Sequence, residues 1–204
     1  MSSEIHHDEH RDDYGSKLGM WIFIFSELFF FSGLFIVYAV FRSKYLDDFH
    51  IASSQLNVFV GSLNTVILMF SSMTITMAIT AMQKNNLKLS RNLTGITLLL
   101  GIIFLINKYF EWAHKIELGL YPGSEIMLTL KHGQIMFFGL YYFMTGLHAL
   151  HILIGLVLLT IVYVRIGNKT IDQNKYALLE NSSLYWHLVD VIWIFLFPLL
   201  YLIN

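Results

Sequence analysis

Cysteine is absent from this chain of 204 residues, and proline occurs only twice. Without thiolates the chain cannot ligate an iron–sulfur cluster through Cys, build a thiolate copper site, attach a c-type haem covalently or form a disulfide. Charge is also scarce. Asp, Glu, Lys and Arg make up 13% of the residues and the net charge is -1, so there is no broad basic footprint for nucleic acid. What fills the space is apolar: 56% of residues are hydrophobic and 16% aromatic, with a mean hydropathy of +0.60. That balance is richer than a soluble domain carries and describes a polytopic membrane protein.

A bilayer core takes about 20 apolar residues per helix. Five runs meet that length, at 18–41, 56–82, 93–112, 135–164 and 184–203. Lipid offers backbone groups no partners, so runs of this length must satisfy their hydrogen bonds internally. The predicted fold is therefore all-α: a polar N-terminal tail, 1–17, followed by one five-helix transmembrane domain, 18–204. No cleavable signal is evident, and the first apolar run is expected to be retained as a span. The connector "YPGS" is the strongest turn signal, and no internal repeat interrupts the pattern. With the N-terminus inside, Arg11, Lys17, Lys84, Lys88, Arg91, Arg165, Lys169 and Lys175 lie on inner segments, against Arg42, Lys44, Lys115 and Lys131 outside. The excess favours a cytoplasmic N-terminus and an external C-terminus.

Ionisable groups at membrane depth are costly, which makes each a candidate site. Glu27 sits among aromatics in "GMWIFIFSELFFFSGLF". It fits a proton-relay or lipid-headgroup group, or a carboxyl bonded to a neighbouring helix. Lys108 and Glu111 are three apart, as are Glu111 and His114, and the expectation is a structural ion pair with a snorkelling lysine. In "FFGLYYFMTGLHALHILIGL", His148 and His151 are also three apart, and Gly139, Gly146 and Gly155 permit close helix approach. Haem ligation pairing His151 with His187, a metal site completed by Glu27 or Asp190, and plain hydrogen bonding across helix contacts all remain open on spacing alone. The last span, "YWHLVDVIWIFLFPLLYL", adds His187 and Asp190 on one face, which can bond one another or a neighbouring helix. His6, His7 and His10 in "HHDEH" fit either weak metal chelation or a solvated tail.

Those three quoted segments, in this order, resemble the signature segments of haem-copper oxidase subunit III, and the resemblance covers essentially the whole chain from Lys17 onward. It is closest in form to the short bacterial version, with five helices rather than seven. The resemblance implies a subunit with no catalytic residue, haem, copper or other metal of its own. It implies packing against the catalytic subunit I, with subunit II and other oxidase subunits beside it, retention of structural phospholipids, and support of sustained proton uptake. Haem and copper would sit in the partner subunits, where dioxygen is reduced with electrons from cytochrome c or quinol. By position, Glu27 matches the buried Glu of the first segment. Gly146, His148, His151 and Gly155 match the next, and Tyr185, Trp186, His187, Asp190 and Trp193 the last. Glu111 in "YFEW" resembles the family's acidic residue in its helix. These residues are expected to act in helix packing or lipid contact, with His187 and Asp190 joined as a polar pair. The implied location is the bacterial inner membrane, with membership of a respiratory supercomplex left open.

Composition limits the role independently. A catalytic subunit needs about twelve helices and several metal-binding histidines, and a copper-bearing subunit needs paired cysteines in a soluble domain. Neither fits 204 residues without Cys. Three alternatives compete: a subunit III-like partner of a bacterial nitric oxide reductase, a small bis-His membrane cytochrome, and a proton-relaying transporter using Glu27 and Asp190. Against the last, no helix is broken by Gly or Pro near the midplane.

Overall fold

The computed structural model describes residues 3–173 and 175–203, with side chains described from residue 15 onward apart from residues 174 and 204. The side chains of His6, His7 and His10 lie outside the described residues. Five long helices form the bundle: α1 (Ser3–Lys44), α3 (Val58–Gln83), α4 (Leu87–Glu117), α6 (His132–Gly167) and α7 (Ala177–Tyr201). Two short helices, α2 (Leu46–Ser53) and α5 (Glu125–Leu128), lie in connectors that the apolar pattern left unassigned. Each expected span is present within a helix that continues past it, apart from the termini of the second and the last. These start at Val58 and end at Tyr201.

Local chemistry sets the ends. Asn57 caps α3 by accepting from the backbone N–H groups of Phe59 and Val60, and Asn86 caps α4 by accepting from Leu89. At the other end of α3, Asn85 adopts a left-handed conformation (φ 57°), and the N–H groups of Asn85 and Asn86 donate to the carbonyls of Met82 and Ala81. The same closure recurs after α4 at Gly119 and after α6 at Lys169. Asn86 thus closes one helix and opens the next, which folds α3 and α4 back as a tight antiparallel hairpin, the most extensive helix pairing in the molecule.

The last helix is the centre of the bundle. It packs against α1, α3 and α6, and 56% of its span is buried, against 11% for α1. Close approach is made by small residues beneath aromatic ones. A Cβ at Gly101 on α4 would stand 2.7 Å from the Trp186 ring, and one at Gly155 on α6 would stand 2.9 Å from its other edge. Trp186 is therefore wedged between two helices that reach it only as glycine. Of the three glycines expected to bring α6 close to its neighbours, Gly155 alone does so. Gly146 meets only Trp112, at 3.8 Å, and Gly139 meets nothing within 4 Å. Farther along α7, Trp193 meets Phe104 edge-on at 4.9 Å between ring centroids.

Helix α1 lies at the rim. Trp21, Phe25 and Phe29, spaced four apart, form an outward stripe, with Phe29 79% exposed. Its inward groups hold it to the bundle. Tyr38 is fully buried and donates to the Leu199 carbonyl at 2.7 Å, supplying a partner to the end of α7 near Pro198.

Candidate functional site

Most of the polar groups singled out in the sequence turn inward, in three separate clusters, and a fourth forms around a lysine that was not among the candidates. The first joins α4, α6 and α7. Lys108 Nζ lies 3.1 Å from Glu111 Oε2, and both side chains are almost wholly buried. Lys108 also donates to the hydroxyls of Tyr201 (2.9 Å) and Tyr141 (3.3 Å). Those two hydroxyls in turn donate to Glu111 Oε1, at 2.5 Å from Tyr201 and 2.7 Å from Tyr141. Four rings surround the ammonium at 5.1 to 6.0 Å: Tyr141, Trp193, Tyr201 and Trp112. The lysine does not snorkel as expected. Its charge is held inside by a carboxylate, two hydroxyls and an aromatic box, which together replace water. His114, expected on the same face, is exposed and takes no part.

The second cluster joins α1 to α6. His151 Nδ1 lies 2.7 Å from the Leu147 carbonyl, which can only accept, so Nδ1 carries a hydrogen. Nε2 then faces Glu27 Oε2 at 3.1 Å, either accepting from a carboxyl or donating to a carboxylate. The neighbouring Tyr185 donates to the His151 carbonyl and stacks on Phe23 at 5.9 Å.

The third joins α7 to α3. His187 Nδ1 lies 2.7 Å from the Ser72 hydroxyl, and Nε2 lies 3.2 Å from Ser183 and 3.3 Å from Thr76. Thr76 already donates to the Ser72 carbonyl, so its oxygen accepts and the ring hydrogen belongs on Nε2. The Ser72 hydroxyl consequently donates its hydrogen to Nδ1, with Asp190 close beside it. Asp190, 5% exposed, has no hydrogen bond at either carboxyl oxygen and lines a cavity of about 410 Å³ between α3 and α7. The expected His187–Asp190 pair is not formed. Both residues point toward α3, but its hydroxyls take the imidazole first.

His148, three residues from His151, faces the opposite neighbours. Its ring stacks on Trp193 at 5.3 Å and meets Phe104 edge-on, with neither nitrogen hydrogen-bonded. His151 and His187 engage different helices, so the geometry does not bring together the two imidazoles that haem ligation required. Among the described residues, no three His, Cys, Asp or Glu side chains converge.

Hydroxyl partners were missed in the sequence. Trp186 Nε1 donates to Ser71 and Trp193 Nε1 to Thr65, each at 3.0 Å, so α3 offers a hydroxyl to each of α7's two tryptophans and to His187. The signal was present in "SSMTIT", a polar run inside an apolar span, and in the paired tyrosines of "LYYF". The fourth cluster was also unforeseen. Lys115 is buried at the end of α4 and donates to the Gln55 carbonyl ahead of α3.

Known proteins place this arrangement. The sequence profile described as cytochrome c oxidase subunit III matches residues 4–204. Cytochrome c oxidase subunit 3 of Rhipicephalus sanguineus is 36% identical over 198 residues, spanning 92% of this chain and 70% of the relative. That of Thermostichus vulcanus is 32% identical over 202 residues, spanning 98% and 92%. A heme-copper oxidase subunit I+III of Aeropyrum pernix is 33% identical over 196 residues, which span 92% of this chain and 22% of that protein. With five membrane-length helices, buried polar links between them and a family match along almost its whole length, the chain belongs to the cytochrome c oxidase subunit III family.

Proposed function

We propose that the chain is a non-catalytic membrane subunit of a haem-copper terminal oxidase, docked on the subunit I that reduces dioxygen and pumps protons. It stabilises that subunit and sustains its proton uptake. One observation carries the reading: in the Aeropyrum pernix relative, a region matching this chain is part of a single protein named subunit I+III. Fusion of two units in one polypeptide favours their contact when they are separate chains. The outward aromatic stripe of α1, on a helix only 11% buried, supplies a surface that a larger polytopic partner can cover.

Within this reading the residues singled out are packing residues. Glu27 and His151 tie α1 to α6, and His187 ties α7 to α3. Trp186 and Gly155 lock α7 to α6, and Glu111 holds Lys108 inside. The membrane is the bacterial cytoplasmic membrane, with the N-terminus inside, as the lysine and arginine distribution favours. Phospholipids fill the grooves that remain.

The test is turnover. An oxidase prepared with and without this chain should show the same haem spectrum and a similar initial rate of oxygen consumption. The preparation lacking the chain should then lose activity progressively during turnover. An oxidase that lacks the chain and keeps its activity would remove the proposed role, and a change in haem content would assign the chain a cofactor of its own.

A further inference from the structure

Helix α7 is the most buried of the five, yet one strip of it reaches the surface of the bundle. Val191 and Ile194 on that strip are 40% and 48% exposed, and they line the cavity of about 410 Å³ between α7 and α3. The facing wall is a ridge of thioethers. Met69, Met73 and Met77 follow one another at four-residue intervals, so they share one face of α3, and each is about half exposed. The ridge runs about 12 Å along the helix axis. Unbranched, polarisable side chains of this kind mould themselves to a partner's surface. The result is an apolar groove on the outside of the bundle, bordered by α3 and α7 alone among the described residues.

One group in the groove does not suit a lipid. Asp190 stands near the middle of α7, in its floor. It is only 5% exposed, and among the described residues neither carboxyl oxygen has a hydrogen bond. Ser72 stands beside it and gives its hydrogen to His187 Nδ1, 2.7 Å away. Acyl chains lying in the groove would leave the carboxyl without a donor at a depth where water supplies none. Ionisable groups in membrane segments face protein or a water-filled path for that reason. The carboxyl therefore calls for a hydrogen-bond donor, and the methionine ridge calls for apolar side chains to lie against it. A helix with one polar side chain on its apolar face supplies both at once, whereas a small polar solute supplies only the first.

We propose that the α3–α7 groove seats one transmembrane helix of the partner subunit, and that a side chain of that helix bearing an N–H or O–H donates to Asp190. The inference rests on the oxidase-subunit reading and deepens it by naming the contact. Asp190 is then a docking residue and takes no part in holding the bundle together. His187, three residues before it, does the opposite: its contacts to Ser72 and Thr76 hold α3 and α7 at the spacing that shapes the groove.

The test is photo-crosslinking in native membranes. Benzoylphenylalanine replaces Met73 in the groove, Phe29 on the outer stripe of α1, or Leu150 on an exposed face of α6. After irradiation, the tagged chain is purified and its cross-linked peptide sequenced. The expected product from Met73 is a transmembrane helix of the haem-bearing subunit. Cross-links to that subunit from Phe29 or Leu150 alone, with none from Met73, would overturn the seat and leave the proposed function standing. A Met73 product that joins two copies of this chain, or contains only lipid, would also overturn it. Absence of any oxidase subunit would remove the proposed function and the seat together. Mutation separates docking from folding. Asp190→Leu should make the complex dissociate on dilution roughly three- to tenfold more readily, while the separated chain unfolds no more easily than wild type. Ile194→Trp fills an exposed part of the groove and keeps the measurement available if Asp190→Leu fails to express; it should also weaken retention of the partner. Retention at the wild-type level by both variants would overturn the proposal.

Discussion

Replacing Glu111 by Leu would leave Lys108 buried without its carboxylate. Both side chains are almost wholly buried, 3% and 4% exposed, so solvent does not screen the loss. The tyrosine hydroxyls at 2.9 and 3.3 Å remain as acceptors for the ammonium, but neither carries a charge. Removing one partner of a buried pair costs about 3–5 kcal/mol. Taking out both charges together costs less, since apolar residues of similar volume often replace a buried pair with little penalty. Glu111→Leu should therefore destabilise strongly, and Lys108→Met with Glu111→Leu should recover much of the loss. The assay is reversible unfolding in mixed micelles, run as a double-mutant cycle on the chain. A single mutant within about 1 kcal/mol of wild type would refute the reasoning, as would additive effects in the double mutant.

Three further outcomes follow from the geometry. Gly101→Ala should cost about 1–3 kcal/mol and shift Trp186 fluorescence, because its Cβ would stand 2.7 Å from that ring, whereas Gly139→Ala, with nothing within 4 Å, should be silent in thermal unfolding. Glu27→Gln should leave assembly and oxygen consumption near wild type, because the amide can either donate to or accept from His151 Nε2. Glu27→Leu should loosen α1, and equal protease resistance of the two variants would contradict that link. His187→Leu should lower stability by roughly 0.6–2 kcal/mol through the lost contacts to Ser72 and Thr76, with Asp190→Asn near neutral; a large effect of Asp190→Asn on unfolding would show a partner for that carboxyl in the assembled complex.

The spans were legible because lipid forces apolar runs of a set length into helices, and all five are present. The short helices α2 and α5 were not, since they lie in connectors where hydropathy carries no period. Among the ionisable residues, the Lys108–Glu111 pair followed from three-residue spacing within one helix. Its enclosure by Tyr141 and Tyr201 did not, because those hydroxyls come from helices far away in sequence. The same limit explains His187 and Asp190. Spacing placed them on one face, but the pairing was decided by Ser72 and Thr76 across the interface, which one helix alone does not reveal. Glycine spacing overstated close approach for a similar reason. Gly155 is tight because Trp186 faces it, and Gly139 has no such neighbour.

The proposed role makes this chain a membrane subunit docked on the reaction centre of another. Purification through a tag on this chain in mild detergent, with every co-purifying polypeptide and metal identified, tests it most directly. The expected result is a larger polytopic subunit in stoichiometric amount, bearing haem and copper, and no absorbance in the visible from this chain once separated. A chain that came through alone, with a haem spectrum of its own, would contradict it and return His148, His151 and His187 as ligands.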